Sequence, residues 1–371
     1  MTGEAPQTVE DEIRRRIEAD GPMPFEAYMA ACLGAEEAGY YQTRDPFGAA
    51  GDFVTAPEIS GMFGEMCGLY LAHMYELSGK PADAVVAELG PGRGTLMVDA
   101  LRALKALPAC RDAAHVRLIE TSTVLCAVQR EALHDQDATW YNSLPPADGI
   151  PAIIIANEFL DALPIRQFVK SEGAWRERCV DIDPQGDGFR FTLGTGVPQT
   201  PHAPELLAAA FDGDIMEESP AIVSLVGDIA ARIAVTGGAA LFIDYGHARS
   251  AVGDTLQAVQ RHKPVNPLDS PGAADLTAHV DFQRVREAAA AGGARCWGPI
   301  DQGSFLTQIG IRERATQLRA AADTHQTSDI NAALTRLIGP AEMGTLFKIL
   351  ALSEPRLEQL AGFEYGADHD A

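Results

Sequence analysis

Basic residues are scarce in this chain: 29 Lys and Arg stand against 52 Asp and Glu, a formal net charge of −23 over 371 residues. Such a balance repels phosphate backbones and anionic lipid surfaces, so no nucleic-acid partner is expected and a basic protein segment is favoured. Cysteines are few and scattered (Cys32, Cys67, Cys110, Cys126, Cys179, Cys296), with no Cys-x-x-Cys pair and no His-Cys cluster at ligand spacing. No metal centre is expected, and the thiols read as reduced, mostly core residues of a cytoplasmic protein. No apolar run approaches the roughly 20 residues of a membrane span, and the acidic start Glu4 to Glu12 resembles neither a secretory nor a transit peptide. No internal repeat is evident. What the chain does have is a 46% hydrophobic fraction, ample for a core. Its length exceeds the roughly 250–300 residues at which single cores stop growing, so one large domain with additions, or two subdomains, is expected.

One stretch organises the rest. From Ala84 to Leu89 apolar residues run into Glu88; Gly90, Gly92 and Gly94 follow at alternate positions; then Leu96, Met97, Leu101, Leu104 and Leu107 mark an apolar-periodic segment. The pattern predicts strand, tight turn and helix. A glycine turn at a helix N-terminus lets a ligand meet bare backbone and outward-pointing amides. A dinucleotide fingerprint would need a glycine where Thr95 stands, and a phosphate-binding loop would need a lysine, of which there is none between Lys80 and Lys105. Acid-x-Gly-x-Gly-x-Gly instead resembles motif I of class I S-adenosylmethionine (SAM) methyltransferases. An acid at the strand end suits SAM, whose sulfonium and α-ammonium are cationic, better than it suits a pyrophosphate. A glycine-rich turn that only packs tightly is the bland alternative.

Further along, His115 to Ile119 is a short strand ending at Glu120, 30 positions beyond Gly90 where a dinucleotide fold would place its ribose-binding acid at about 20. Glu120 is therefore a ribose ligand or, alternatively, a helix cap. Thr139 to Asn142 is a third strand, followed by Ser143 and Leu144, where an adenine would be met. Ala152 to Ala156 is continuously apolar, as a strand buried on both faces must be, and it ends in Asn157, Glu158 and Asp161. Polar residues beyond the carboxyl end of such a strand fall at a reacting centre. Glu158 and Asp161 would share a face if Phe159 opens a helical turn. A solvated loop with a helix cap is the alternative.

The remaining regions are coarser. Residues 1–80 read as a helical region carrying a long loop, Tyr40 to Glu58, rich in aromatics and acids; its helix from about Pro57 to Leu77 bears a methionine stripe taken as core. Residues 81–164 form the first part of a SAM-binding domain. Residues 165–235 alternate in short segments and then turn helical, a β-meander insertion. Residues 236–371 hold the last strands and a second long loop, Pro264 to Asp281.

Taken together, Glu88–Leu96, Asn157–Pro164, Gly51–Glu58 and Asp275–Phe282 resemble the MidA family of class I methyltransferases, whose mitochondrial members assist respiratory complex I assembly. The resemblance implies an α/β fold with a Rossmann-like seven-stranded sheet, an N-terminal helical region and a β-rich insertion. It implies SAM-dependent symmetric dimethylation of an arginine on a complex I core subunit, with a SAM-binding assembly chaperone or a small-molecule methyltransferase as alternatives. SAM contacts are expected from Glu88, Gly90, Gly92, Gly94, Glu120, Ser143, Leu144 and Asn157. Catalysis is expected from Glu158, Asp161 and His279, and acceptor contacts from Asp52 and Phe53, with both long loops lying over the pocket.

Overall fold

The computed structural model describes residues 8–35, 38–43, 46, 55–186, 188–198 and 204–363. Seven strands form its central sheet: β1 Ala84–Leu89, β2 Ala114–Ile119, β3 Ala138–Tyr141, β4 Ala152–Asn157, β5 Gly238–His247, β6 Arg295–Asp301 and β7 Phe347–Ser353. Their spatial order is β6-β7-β5-β4-β1-β2-β3. β7 runs antiparallel to β5 and β6, and the other neighbours are parallel. This is the seven-stranded α/β arrangement that the family resemblance implies. A short strand, Val280–Asp281, extends the sheet beside the end of β5.

Every residue of β1 and β4 is buried, because helices cover both sheet faces. Alternation assigns the side chains. Val86, Ile153, Ile155, Leu241 and Ile243 pack with the helices Gly61–Leu77 and Thr95–Leu104. Val85, Ala87, Ile154, Ala240 and Phe242 pack with Pro220–Thr236 and Phe282–Ala291. Chain direction across the sheet reverses between β1 and β4, since β1 leads outward to β2 and β3 and the chain then returns to β4 on the other side. In open parallel sheets a crevice forms beyond the carboxyl ends at that switch. The glycine turn and the Asn157–Asp161 turn lie there.

A third core joins the helices Val9–Asp20 and Phe25–Gly34 to the insertion through Phe25, Tyr28, Met29, Ile165 and Val180. The predicted meander is present as Arg166–Ser171, Ala174–Ile182 and Phe189–Leu193, with Ile215–Glu218 and Met23–Pro24 added at its sides. It brings Ala30, Leu33 and Gly34 over the crevice. Two expectations change. The helix expected from Pro57 to Leu77 breaks at Ser60, whose side chain accepts the Met62 N–H and starts a new helix at Gly61. The loop expected from Pro264 to Asp281 contains a strand, Asp275–Thr277, paired with Gln257–Gln260, too short for alternation to reveal. Among the described residues no helix is long and apolar enough to cross a membrane.

Candidate active site

The turn after β1 is made by its glycines. Gly90, Gly92 and Gly94 have φ of 61°, 54° and 83°, a region that side chains with a Cβ seldom occupy. At Gly90 a Cβ would also lie 2.5 Å from the Phe159 ring. Gly94 caps the helix Thr95–Leu104 without a side-chain acceptor, leaving its first amides facing the crevice. Just before the turn, Glu88 is buried, and burial followed by the nearby Glu120 pushes its carboxyl up to about 8. Glu88 Oε2 and Asn157 Oδ1 are buried without a hydrogen-bond partner. Two acceptors left bare in this way can take a donor from a ligand.

Glu120 stands at the end of β2, as its acid-after-strand position predicts. Its carboxylate accepts the Ser122 N–H at 2.8 Å and the Gln129 amide at 3.1 Å, and it lines the crevice. Ser122, not Glu120, caps the following helix by accepting the Leu125 N–H. Gln129 was not singled out from sequence. It is fully buried, donates to the Gly92 carbonyl at 2.8 Å and accepts from the Trp140 indole at 2.9 Å. One amide thus ties the glycine turn to β2 and β3. A glutamine in an amphipathic helix carries no sequence signal of that task.

The turn after β4 gathers acids. Phe159 does not open a helical turn; Glu158 instead takes φ of 50° and the chain bends tightly through Leu163. What bends it is Asp244 of β5, whose Oδ2 accepts N–H groups from Phe159 (3.1 Å), Leu160 (2.9 Å) and Asp161 (3.3 Å). The Glu158 carboxylate accepts the Ala56 N–H at 3.0 Å and the Asn157 amide at 3.2 Å. Burial, helped by Asp161, outweighs those bonds and raises Glu158 to about 7. Asp161 is raised by burial to about 6 although the Tyr245 hydroxyl hydrogen-bonds it. Asp244 is raised by burial and then by Asp161 and Glu158. The three amides that Asp244 accepts lie more than 80 residues earlier in the chain, a separation that no local pattern signals.

Both turns open on one cavity of about 290 Å³, lined by Tyr41, Gly90, Gly92, Glu120, Glu158 and Phe159. A recess of about 30 Å³ beside it is lined by Glu88, Asn157, Glu158 and the segment Thr55, Pro57 and Glu58. Glu58 bonds Thr95 and lies 3.7 Å from Arg93, so the end of the first long loop reaches the glycine turn. Asp52 and Phe53 lie outside the described residues. Ser143 is exposed and Leu144 packs on the sheet core; neither lines the cavity. His279 faces a different space of about 80 Å³ with Leu160, Thr255 and Glu218. Its ring packs edge-on at 5.4 Å against Tyr245.

These features fit SAM. The glycine turn admits a ligand against backbone, Glu88 and Asn157 offer acceptors to an α-ammonium, and Glu120 offers one to ribose hydroxyls. The comparisons agree. Residues 66–300 match the model of a family described as S-adenosyl-L-methionine-dependent methyltransferases. The protein arginine methyltransferase NDUFAF7 homolog, mitochondrial, of Drosophila melanogaster is 36% identical, covering 92% of this chain and 84% of its own length. Protein arginine methyltransferase NDUFAF7, mitochondrial, of Homo sapiens is 34% identical, covering 91% and 81%. A Burkholderia thailandensis protein crystallised with S-adenosyl-homocysteine superposes with a TM-score of 0.84 at 32% identity, covering 96% of this chain and 95% of that one. The mitochondrial relatives overturn the expected cytoplasmic location. Scattered thiols report a reducing environment, which does not single out one intracellular compartment. By sequence, sheet order and site, the chain belongs to the family of SAM-dependent methyltransferases that includes these NDUFAF7 proteins, and it is an enzyme that uses SAM.

Proposed function

We propose that the methyl acceptor is an arginine of a protein. The observation that carries this reading is a set of three acids after β4 and on β5, with Asp161 and Asp244 buried and the half-buried Glu158 opening on the cavity. A guanidinium is protonated at any working pH and spreads its charge over a planar fork. Glu158 can grip such a fork and take the proton that methylation releases, while Asp161, buried behind it, draws positive charge away from the attacking nitrogen. When bound, SAM supplies the sulfonium methyl. Glu88, Asn157 and Glu120 would hold it, and the two turns, which open on one cavity, would bring donor and acceptor together, the main requirement of an in-line displacement.

The relatives named protein arginine methyltransferases support the acceptor type. The net charge of −23 favours a basic protein partner. Family resemblance makes a complex I core subunit the first acceptor to test, with symmetric dimethylation the expected product. The test is incubation with isotopically labelled SAM, a lysate of the source cells and the purified subunit, followed by mass spectrometry of modified arginines. Label in a small metabolite would sink the protein acceptor, and SAM binding without any label transfer would favour a chaperone.

A further inference from the structure

Asp244 does something unusual for an acid at a strand end. A helix-capping side chain accepts one N–H, or two. Here one oxygen, Oδ2, gathers three consecutive amides, those of Phe159, Leu160 and Asp161, while Oδ1 accepts the Tyr245 N–H at 3.0 Å. Three successive amides turned toward one anion form a nest. Forming it forces the residue before, Glu158, into the left-handed region at φ 50°. A non-glycine residue stays there only when its surroundings over-determine it. Two more backbone bonds complete the frame: the Glu158 N–H to the Ile243 carbonyl at 2.9 Å, and the Ala278 N–H to the Asp161 carbonyl at 3.0 Å. Asp244 is 1% exposed and does not line the cavity, so it does not reach the reacting atoms itself.

The geometry points to Asp244 as a positioning residue for methyl transfer: its carboxylate bends the turn after β4 into the one shape that presents Glu158 to the cavity with Asp161 beside it. The assignment rests on the acceptor reading above, because it concerns the acids that would hold the guanidinium. It makes three claims that a role in stability alone does not. Removing the clamp lowers kcat and leaves SAM binding intact, because the glycine turn and Glu120 are held by Gln129 and not by Asp244. An asparagine, which keeps an acceptor oxygen for the three amides, restores most of the loss. Finally, without Glu158 the clamp has little left to position, so the two losses do not multiply.

The experiment compares wild type, Asp244→Ala, Asp244→Asn, Glu158→Gln and the Asp244→Ala/Glu158→Gln double variant, each by kcat on the acceptor and by SAM calorimetry. Asp244→Ala is expected to lose on the order of 10²-fold in kcat, the scale of a misplaced acid–base group, with SAM affinity within about threefold of wild type by the additivity of separate sites. Asp244→Asn should recover most of that loss, and the double variant should be no worse than the poorer single one. Losses that multiply, SAM affinity that falls along with kcat, or no recovery in Asp244→Asn would each overturn the clamp; the last would give the role to the charge. Should Asp244→Ala fail to fold, hydrogen exchange in the wild type decides. The Phe159, Leu160 and Asp161 amides must be protected, and exchange as fast as that of the exposed Gly149 turn would refute the bonds. Wild-type enzyme that labels no arginine sinks the acceptor reading; wild-type enzyme that labels arginine while the two losses multiply sinks the clamp alone.

Discussion

The turns after β1 and β4 face one cavity from adjacent strands, but different parts of the chain hold them in shape. The first is shaped by its own residues: three glycines at positive φ, closed by the Gly94 N–H to the Pro91 carbonyl at 2.7 Å. The second has no glycine. Its backbone is bent by Asp244, 83 to 85 residues later in sequence, and its acids are met by Ala56, 102 residues earlier than Glu158, and by Tyr245. A cofactor used throughout a fold class can be met by a short local motif. An acceptor specific to one family is met by residues that only the finished sheet brings together. The two halves should therefore fail differently when broken.

The sharpest break is on the local side. Gly92→Val places a β-branched residue at φ 54° and fills the space where backbone must meet ligand. SAM affinity is expected to fall by about 10²-fold or more, with strain of roughly 1–3 kcal/mol added to the lost approach. Calorimetry on the folded variant checks it, and wild-type affinity would move the cofactor elsewhere. On the assembled side, Glu158→Gln keeps SAM affinity nearly intact while turnover drops roughly 10²-fold. If the first variant lost only turnover, or the second only SAM binding, the division between the halves would collapse.

That division also explains what could be read without coordinates. The strand–glycine–helix unit, the buried run of β4 and the acid ending β2 are local patterns, whereas the seven-stranded sheet is what the family resemblance implies. Glu88, Gly90, Gly92 and Glu120 sit in the cavity walls because each is fixed by its own strand end. Asp244 gave no signal beyond ending an apolar strand, since its partners are backbone amides of a distant turn. Gln129 looked like a surface residue of an amphipathic helix, yet it is fully buried. Ser143 and Leu144 follow β3 but are not among the residues that line the cavity.

Acidity separates the two directions in which the acid turn matters. Burial raises the Glu158 carboxyl to about 7 and raises Asp161 behind it, so gripping a cation requires pH above that of Glu158; kcat/KM should rise towards pH 7 and level off beyond it. Stability runs the other way. Acids whose folded pKa is raised above the unfolded one contribute stability that is fully present below the unfolded value, roughly 4, and is lost as pH rises through the folded values. The free protein should thus melt at a lower temperature at pH 8 than at pH 5 while working better there. With Glu88 raised to about 8, a cationic ligand should narrow that difference. A melting temperature that climbed from pH 5 to 8 would contradict the burial of these acids.

Glu120→Gln tests a smaller term on the cofactor side. It keeps the size and one acceptor oxygen but loses the charge toward ribose hydroxyls, for an expected cost of about 1–3 kcal/mol in SAM affinity. Its neighbours supply the control, because Gln129 and Ser122 hold Glu120 in place from its other side. Unchanged affinity in the variant would leave Glu120 with no task beyond organising those two groups.

The smallest effect is expected at His279. Its ring lines the second cavity, its Nε2 lies 3.3 Å from the Gln257 amide, and burial followed by His247 lowers its pKa, which keeps it neutral at working pH. It packs on the Tyr245 ring, a contact of the kind worth about 0.5–1.5 kcal/mol. Tyr245 itself makes the hydrogen bond to Asp161. His279→Ala should accordingly leave SAM affinity unchanged and lower kcat by about the tenfold or less that such a contact allows, whereas Tyr245→Phe, which removes the hydroxyl and spares the ring, should cost more. The ratio of the two is the measurement that matters. If His279→Ala instead matched Glu158→Gln in lost turnover, the second cavity would have to communicate with the first in the working enzyme, and the acceptor half would extend across Tyr245 to the insertion.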